Sequence, residues 1–184
     1  MQPLSDLFFV SSNNHKFREV EIILDSFKIK VGFLKYTLEE VQSNSMEVIA
    51  SKKAKFAFSN FNKPIIIEDD GLFIESLQGF PGPYSSYVFE KIGNHGILNL
   101  VNEKRKAKFV SLITYCDGEI TKSFTGTVHG GISNLEKGTG WGYDPIFIPK
   151  NLNKTFAELK NKNELSHRYL ALKSFSNWYL QRRE

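Results

Sequence analysis

Apolar positions mark out the first elements of the chain. Leu7-Phe8-Phe9-Val10 is a continuous apolar run of strand length, and it breaks at Ser11-Ser12-Asn13-Asn14, residues that make turns and cap helices. Phe17, Val20, Ile23 and Leu24 then recur at helical spacing, and Ile29 to Phe33 reads as a second strand. Ala50, Ala54, Ala57, Phe58 and Phe61 mark one face of a second helix, which Pro64 stops ahead of a third strand, Ile65-Ile66-Ile67-Glu68. Strands and helices in alternation predict an α/β protein. The middle differs: Lys108 to Cys116 and Glu119 to Val128 are β-rich and joined by Asp117-Gly118, a hairpin signal. After Ser166, the residues Ala171, Leu172, Phe175, Trp178 and Tyr179 form the apolar face of a last helix. The expected fold is α/β, with a mixed, elongated central sheet flanked by helices. Residues 1–184 are read as one domain of two lobes with a cleft between them.

Composition narrows the function classes. The chain has 184 residues, 41% hydrophobic and 24% charged, as in ordinary soluble globular proteins. Its aromatic share of 14% reads first as core packing, and its formal charge of +4 is a weak pointer to an anionic partner. The one basic cluster, Lys104-Arg105-Lys106-Ala107-Lys108, is read as a solvated turn, so no stable nucleic-acid partner is expected. The single cysteine, Cys116, excludes an internal disulfide and a Cys-rich zinc site, and its apolar neighbours suggest a buried, inert thiol. Neither a cleavable leader nor a run long enough to span a membrane is visible, so a cytoplasmic protein without membrane contact is expected.

Four short stretches carry candidate chemistry. Ser11-Ser12-Asn13-Asn14-His15-Lys16 lies where a strand ends and a helix begins, so backbone N–H groups and the helix dipole favour an anion there. Lys16 adds a cation at the helix end that suits cations least, although an Asx-type cap with an incidental lysine reads equally well. Glu68-Asp69-Asp70-Gly71 sets three acids at the end of an apolar strand. Two carboxylates about 4 Å apart repel by roughly 4 kcal/mol at an effective dielectric of 20, a cost that Mg²⁺ or Mn²⁺ would remove. In an extended segment Glu68 and Asp70 point one way and Asp69 the other, unless a turn at Gly71 relaxes the alternation. The loop Lys137-Gly138-Thr139-Gly140-Trp141-Gly142-Tyr143-Asp144-Pro145 could present aromatic faces to a flat base or simply anchor under the core. Lys162-Asn163-Glu164-Leu165-Ser166-His167-Arg168 places cations near a helix start. No Walker motif is present, which excludes a P-loop enzyme.

Taken in order, five segments resemble the inosine/xanthosine triphosphate pyrophosphatases, a Ham1-like family that clears deaminated purine nucleotides. These are Ser11 to Lys16; Glu68 to Leu72 with Gly79-Phe80-Pro81-Gly82-Pro83-Tyr84; Gly140 to Phe147; Lys154-Thr155-Phe156-Ala157-Glu158-Leu159; and Lys162-Asn163 with Ser166-His167-Arg168. The resemblance runs from about residue 7 to residue 175. It implies Mg²⁺-dependent cleavage (Mn²⁺ being an alternative) of the α–β phosphoanhydride of ITP, dITP or XTP, in a nucleotide cleft of a homodimeric enzyme. By the same resemblance Asp69 is metal ligand and general base, and Glu40 a second metal ligand. Ser11, Ser12, Asn13, Asn14, His15, Lys16 and Lys162 contact phosphates and nucleotide, with Lys16 assisting catalysis. Trp141, Gly142, Tyr143, Asp144, His167 and Arg168 form the base-recognition wall. A lysine on the second helix also belongs to the pattern, and both Lys52 and Lys53 nearly fit.

Three residues depart from the family pattern: Asp70 replaces the usual Ser or Thr beside the substrate, Trp141 a Phe, and Ser11 a Thr. Asp70 is the consequential one, since its charge could recruit a metal or repel a triphosphate. Two other readings follow, a house-cleaning pyrophosphatase for pyrimidine or modified nucleotides and a nucleotide-binding regulator weakened by Asp70.

Overall fold

The computed structural model describes residues 6–39 and 43–182. Strand β1 (Phe8–Ser11) leads into helix α1 (Asn14–Ser26), whose N-cap Asn13 accepts hydrogen bonds from the His15 and Lys16 N–H groups. Strand β2 (Gly32–Lys35) begins later than the expected Ile29 to Phe33. Ile29 and Val31 are buried, but Ile29 N–H bonds back to the Leu24 carbonyl, and the parallel ladder starts only where Gly32 meets Phe8. Apolar burial, which the pattern reported, precedes strand pairing there. Helix α2 (Met46–Phe61) is capped by Ser45 and closes on Asn62 in the left-handed region, ahead of Pro64.

Strand β3 (Ile65–Ile74) runs straight through the acidic trio. The turn considered at Gly71 does not form. Gly71 is buried within the strand because a Cβ there would meet the Gly82 carbonyl oxygen at 2.6 Å, where strand β4 (Pro81–Gly82) pairs antiparallel with Leu72 and Phe73. Helix α3 (Ser85–Leu100) is interrupted at Gly93. Strands β5 (Lys106–Cys116) and β6 (Thr121–Ile132) form the expected hairpin with longer arms. Asp117 accepts the Glu119 and Ile120 N–H groups to make its turn, with Gly118 at φ 95°. The basic cluster is therefore strand rather than solvated turn from Lys106 onward. Arg105 anchors it, donating to the Ser133 and Val101 carbonyls at 2.6 and 3.2 Å. Strand β7 (Phe147–Pro149), helix α4 (Lys162–Leu165) and helix α5 (His167–Gln181) complete the order.

The seven strands form one open mixed sheet in the order β2-β1-β3-β5-β6-β7, with β4 added on β3. β1 is parallel to β2 and β3, while β4 and β7 are antiparallel to β3 and β6.

The chain divides into two compact units. The first takes the described parts of Met1–Asp69, Leu112–Gly126 and Arg168–Glu184, and the second takes Asp70–Ser111 and Thr127–His167. In the first, Val20, Ile23 and Leu24 of α1 and Ala171, Leu172 and Phe175 of α5 pack with Phe9, Ile66, Ile113 and Phe124. Phe17 stacks on Phe33 at 4.3 Å beside that core, so the excess of aromatics is packing here. The second has its own core of Leu72, Ile74, Val88, Ile97, Phe109, Tyr143, Phe147 and Phe156. Cys116 is free and buried. Among the described residues no helix is long and apolar enough to cross a membrane.

Candidate active site

In the first unit the end of β3 gathers the charges. Strand alternation sends Glu68 to one face and Asp69 to the other. The Glu68 carboxylate is fully buried and accepts from Arg168 Nε at 2.9 Å on both oxygens, with Lys16 Nζ at 3.8 Å. Arg168, 1% exposed at the start of α5, also donates to Glu19 of α1 through Nη1. Losing either partner of such a buried pair leaves an uncompensated charge, costing about 3–5 kcal/mol. Lys16 is therefore directed at a carboxylate and not incidental. The N–H groups of His15 and Lys16, expected to be open to an anion, are taken by Asn13 Oδ1 at 2.9 and 3.2 Å. Ser11 Oγ accepts the Asn13 N–H at 3.1 Å, while Ser12, Asn14 and His15 are exposed.

On the opposite face, Asp69 Oδ1 accepts from Lys53 Nζ at 2.5 Å, a short charge-assisted bond. The two side chains are 14% and 9% exposed. This separates the two candidate lysines of α2, since Lys53 is buried against Asp69 and Lys52 is exposed. Asp69 Oδ2 is buried without a hydrogen-bond partner among the described residues. A buried carboxylate oxygen with no donor calls for an explanation, and a cation is the partner its chemistry suits. Glu40 lies outside the described residues, and among those described no group of three acids, histidines or cysteines gathers for a metal.

In the second unit, the turn from Trp141 to Ile146 is fixed largely through its backbone. Lys137 N–H bonds to the Pro145 carbonyl, Ala157 N–H to the Asp144 carbonyl, and Asn94 Nδ2 to the Gly142 carbonyl. Gly138, at φ 76°, lies so close to Ala157 that a Cβ would meet its carbonyl carbon at 2.7 Å. The two aromatics differ. Tyr143 belongs to the core, its ring against Phe89 and Phe109 and its hydroxyl donating to the Ser85 carbonyl at 2.9 Å. Burial, aided by the Asp70 charge, pushes that phenol well above its ordinary range. Trp141 is half-buried, and Lys162 Nζ sits 5.7 Å over its ring. Asp144, 6% exposed, accepts from the same Lys162 Nζ at 2.5 Å. His167, 2% exposed, stacks on Phe109 at 4.0 Å with its plane tilted by 5°.

The structure thus brings Lys16, Glu68 and Arg168 together in the first unit, with Lys53 on Asp69. It brings Trp141, Asp144 and Lys162 together in the second. Arg168, expected in the wall with Trp141, has its recorded ion pairs with Glu19 and Glu68. The sequence reading missed Glu19 and Asn94. Glu19 carried a faint signal, lying one helical turn after Lys16, whereas Asn94 carried none.

Comparison with known proteins shows the family and the fold. The model of the Ham1 family matches residues 7–178. A dITP/XTP pyrophosphatase of Pyrococcus horikoshii is 48% identical over 178 residues, covering 94% of this chain and 95% of its own. One of Methanopyrus kandleri is 45% identical over 179 residues, with 94% and 95% covered. Among solved structures, a HAM1 protein from Coxiella burnetii superposes with a TM-score of 0.81 at 26% identity, covering 95% of this chain and 99% of that one. The Staphylococcus aureus Ham1 protein gives 0.72 at 29%, with 96% and 100% covered.

Proposed function

The chain belongs to the Ham1 family, and on that premise we propose that it hydrolyses ITP, dITP and XTP to the nucleoside monophosphate and pyrophosphate. In this role it removes deaminated purines from the nucleotide pool. The observation that carries the reading is Asp69, whose Oδ1 is held by Lys53 while its Oδ2 is buried without a donor among the described residues. The names of the relatives, dITP/XTP pyrophosphatases, agree with it.

Asp69 Oδ2 suits a divalent cation, Mg²⁺ or Mn²⁺, with Glu40 as the second ligand. When bound, the cation supplies positive charge against the triphosphate oxygens. Lys53 fixes the Asp69 carboxylate so that it can take the proton of the attacking water as general base. Lys16 neutralises developing charge on the polyphosphate, and Glu68 with Arg168 holds that lysine in place. The turn Ser11 to His15 positions the phosphates, with Asn13 yielding its cap bonds when they arrive.

Base selection falls to the second unit. Trp141 stacks on the purine, and Lys162, steadied by Asp144, donates to the oxygen at position 6, which adenine replaces with an amino group. A donor facing a donor disfavours ATP by about 1–3 kcal/mol. Gly142, Tyr143 and His167 shape this wall, and Asp70 borders the substrate.

A homodimer in the cytoplasm completes the proposal. Exposed Phe80, Tyr84, Tyr87 and Ile92 support a subunit contact, which light scattering would measure. Pyrophosphate release from ITP, XTP, ATP and GTP, with Mg²⁺ and with chelator, tests the function. Release that needs Mg²⁺ and strongly favours ITP and XTP is expected, and comparable rates with all four would remove the specificity claim.

A further inference from the structure

Helix α3 joins two helical stretches across Gly93, whose φ of 59° and ψ of −166° are not helical. No atom lies within 4 Å of where a Gly93 Cβ would stand, so backbone conformation alone reserves the position for glycine. The break makes Asn94 the first residue of the second stretch. Asn94 is 8% exposed, with Nδ2 3.1 Å from the Gly142 carbonyl oxygen and 3.4 Å from Glu136 Oε2. Both neighbours only accept, so the amide nitrogen must face them. The flipped amide would set its oxygen against two oxygens. Its Oδ1 is consequently buried without a partner among the described residues. An asparagine kept merely to fill space would not hold an amide in so one-sided a setting.

The same helix grips the turn at a second point. Ser85, at the start of α3, receives the Tyr143 hydroxyl on its carbonyl. Its own hydroxyl accepts from Leu72 N–H and donates to the Gly82 carbonyl, locking that end of the helix. Gly142 sits between these holds at φ 61° with nothing within 4 Å of its Cβ position, so side-chain packing does not wedge it. The Asn94 bond fixes the Gly142–Tyr143 peptide, one residue beyond Trp141.

We infer that Asn94 is a positioning residue for base selection, setting the Gly142 carbonyl and through it the pose of Trp141 beside Lys162. This rests on the base-recognition role proposed above for Trp141 to Asp144. It requires no contact between Asn94 and nucleotide.

The test uses the full chain with Asn94→Ala and with Asn94→Leu, which keeps the volume and removes the donor without adding a charge beside Glu136. Steady-state kinetics with ITP and ATP are measured beside thermal melting. Acrylamide quenching of Trp141 is read without nucleotide in a Trp178→Phe background, since the chain has two tryptophans. Loss of one hydrogen bond should raise KM for ITP about tenfold, leave kcat within about twofold, and make Trp141 more quenchable. The ITP-to-ATP ratio of kcat/KM should fall with it. A folded variant with an unchanged ratio overturns the inference, whatever its melting temperature. If the unmodified chain fails to hydrolyse ITP, the functional reading fails instead. Quenching then decides the positional claim alone: a rise in either variant supports it, and no change overturns it.

Discussion

Among the described residues each unit contains one buried lysine–aspartate pair, and the two are nearly superimposable in their numbers. Lys53–Asp69 in the first and Lys162–Asp144 in the second both close to 2.5 Å, with side chains between 9% and 14% exposed. In the proposed function they serve opposite ends of the chemistry. Among the described residues no donor meets the buried Asp69 oxygen away from Lys53, and the carboxylate is the end proposed to react. At Asp144 the lysine also lies over the Trp141 ring, and its ammonium is the end proposed to meet a ligand. Ion-pair geometry alone does not reveal a role. What the remaining atoms of each pair can still bind does.

Asp69→Asn should break this contrast most severely. Loss of the general base and of one cation ligand lowers kcat by about a thousandfold, for ITP and ATP alike, as a stopped-time pyrophosphate assay would record. Asp144→Asn leaves Lys162 charged and poorly held. It should raise KM for ITP by roughly tenfold to a hundredfold while sparing kcat, so the two substrates draw together. Circular dichroism on both variants separates these effects from unfolding.

A third carboxylate sharpens the comparison by being saturated. Asp117 accepts from the Glu119 and Ile120 N–H groups and the Tyr115 hydroxyl, and pairs with Arg182 at 2.8 Å. Burial acts to raise its pKa, but those hydrogen bonds outweigh it and hold the carboxyl below its ordinary range. Its stabilisation is thus fully present above the unfolded value of about 3.9 and lost as pH falls through the lower folded value. Asp117→Asn should cost about 1–2 kcal/mol in urea denaturation at neutral pH, with the gap closing in strong acid and turnover unchanged. Asp70→Ser should do least. Removing a half-buried charge that bears on Tyr143 should leave turnover within about threefold, and a collapse would make Asp70 an essential ligand in this chain.

The sequence was most legible where side chains report their own surroundings. β1, α1, α2 and α5 followed from apolar spacing, and the hairpin from Asp117-Gly118. β3 outran its apolar start because pairing with β4 and close approach at Gly71 overrode the poor strand preference of Asp69-Asp70-Gly71. Helix α3 went unread, its pattern broken by Gly93 and Gly96. Partnerships distant in sequence were the least legible. The chain's order of motifs placed Glu68 and Arg168 on one list, but only folding joins residues so far apart into one ion pair. Lys52 and Lys53 were indistinguishable until the turn of α2 directed one of them at Asp69.

The central claim is that one pair performs chemistry and the other chooses the base. Measuring kcat/KM for ITP and ATP side by side on Asp69→Asn and Asp144→Asn tests it most directly. The account predicts that Asp69→Asn lowers both values and keeps their ratio, while Asp144→Asn collapses the ratio with kcat largely intact. A ratio changed by Asp69→Asn and untouched by Asp144→Asn would contradict it.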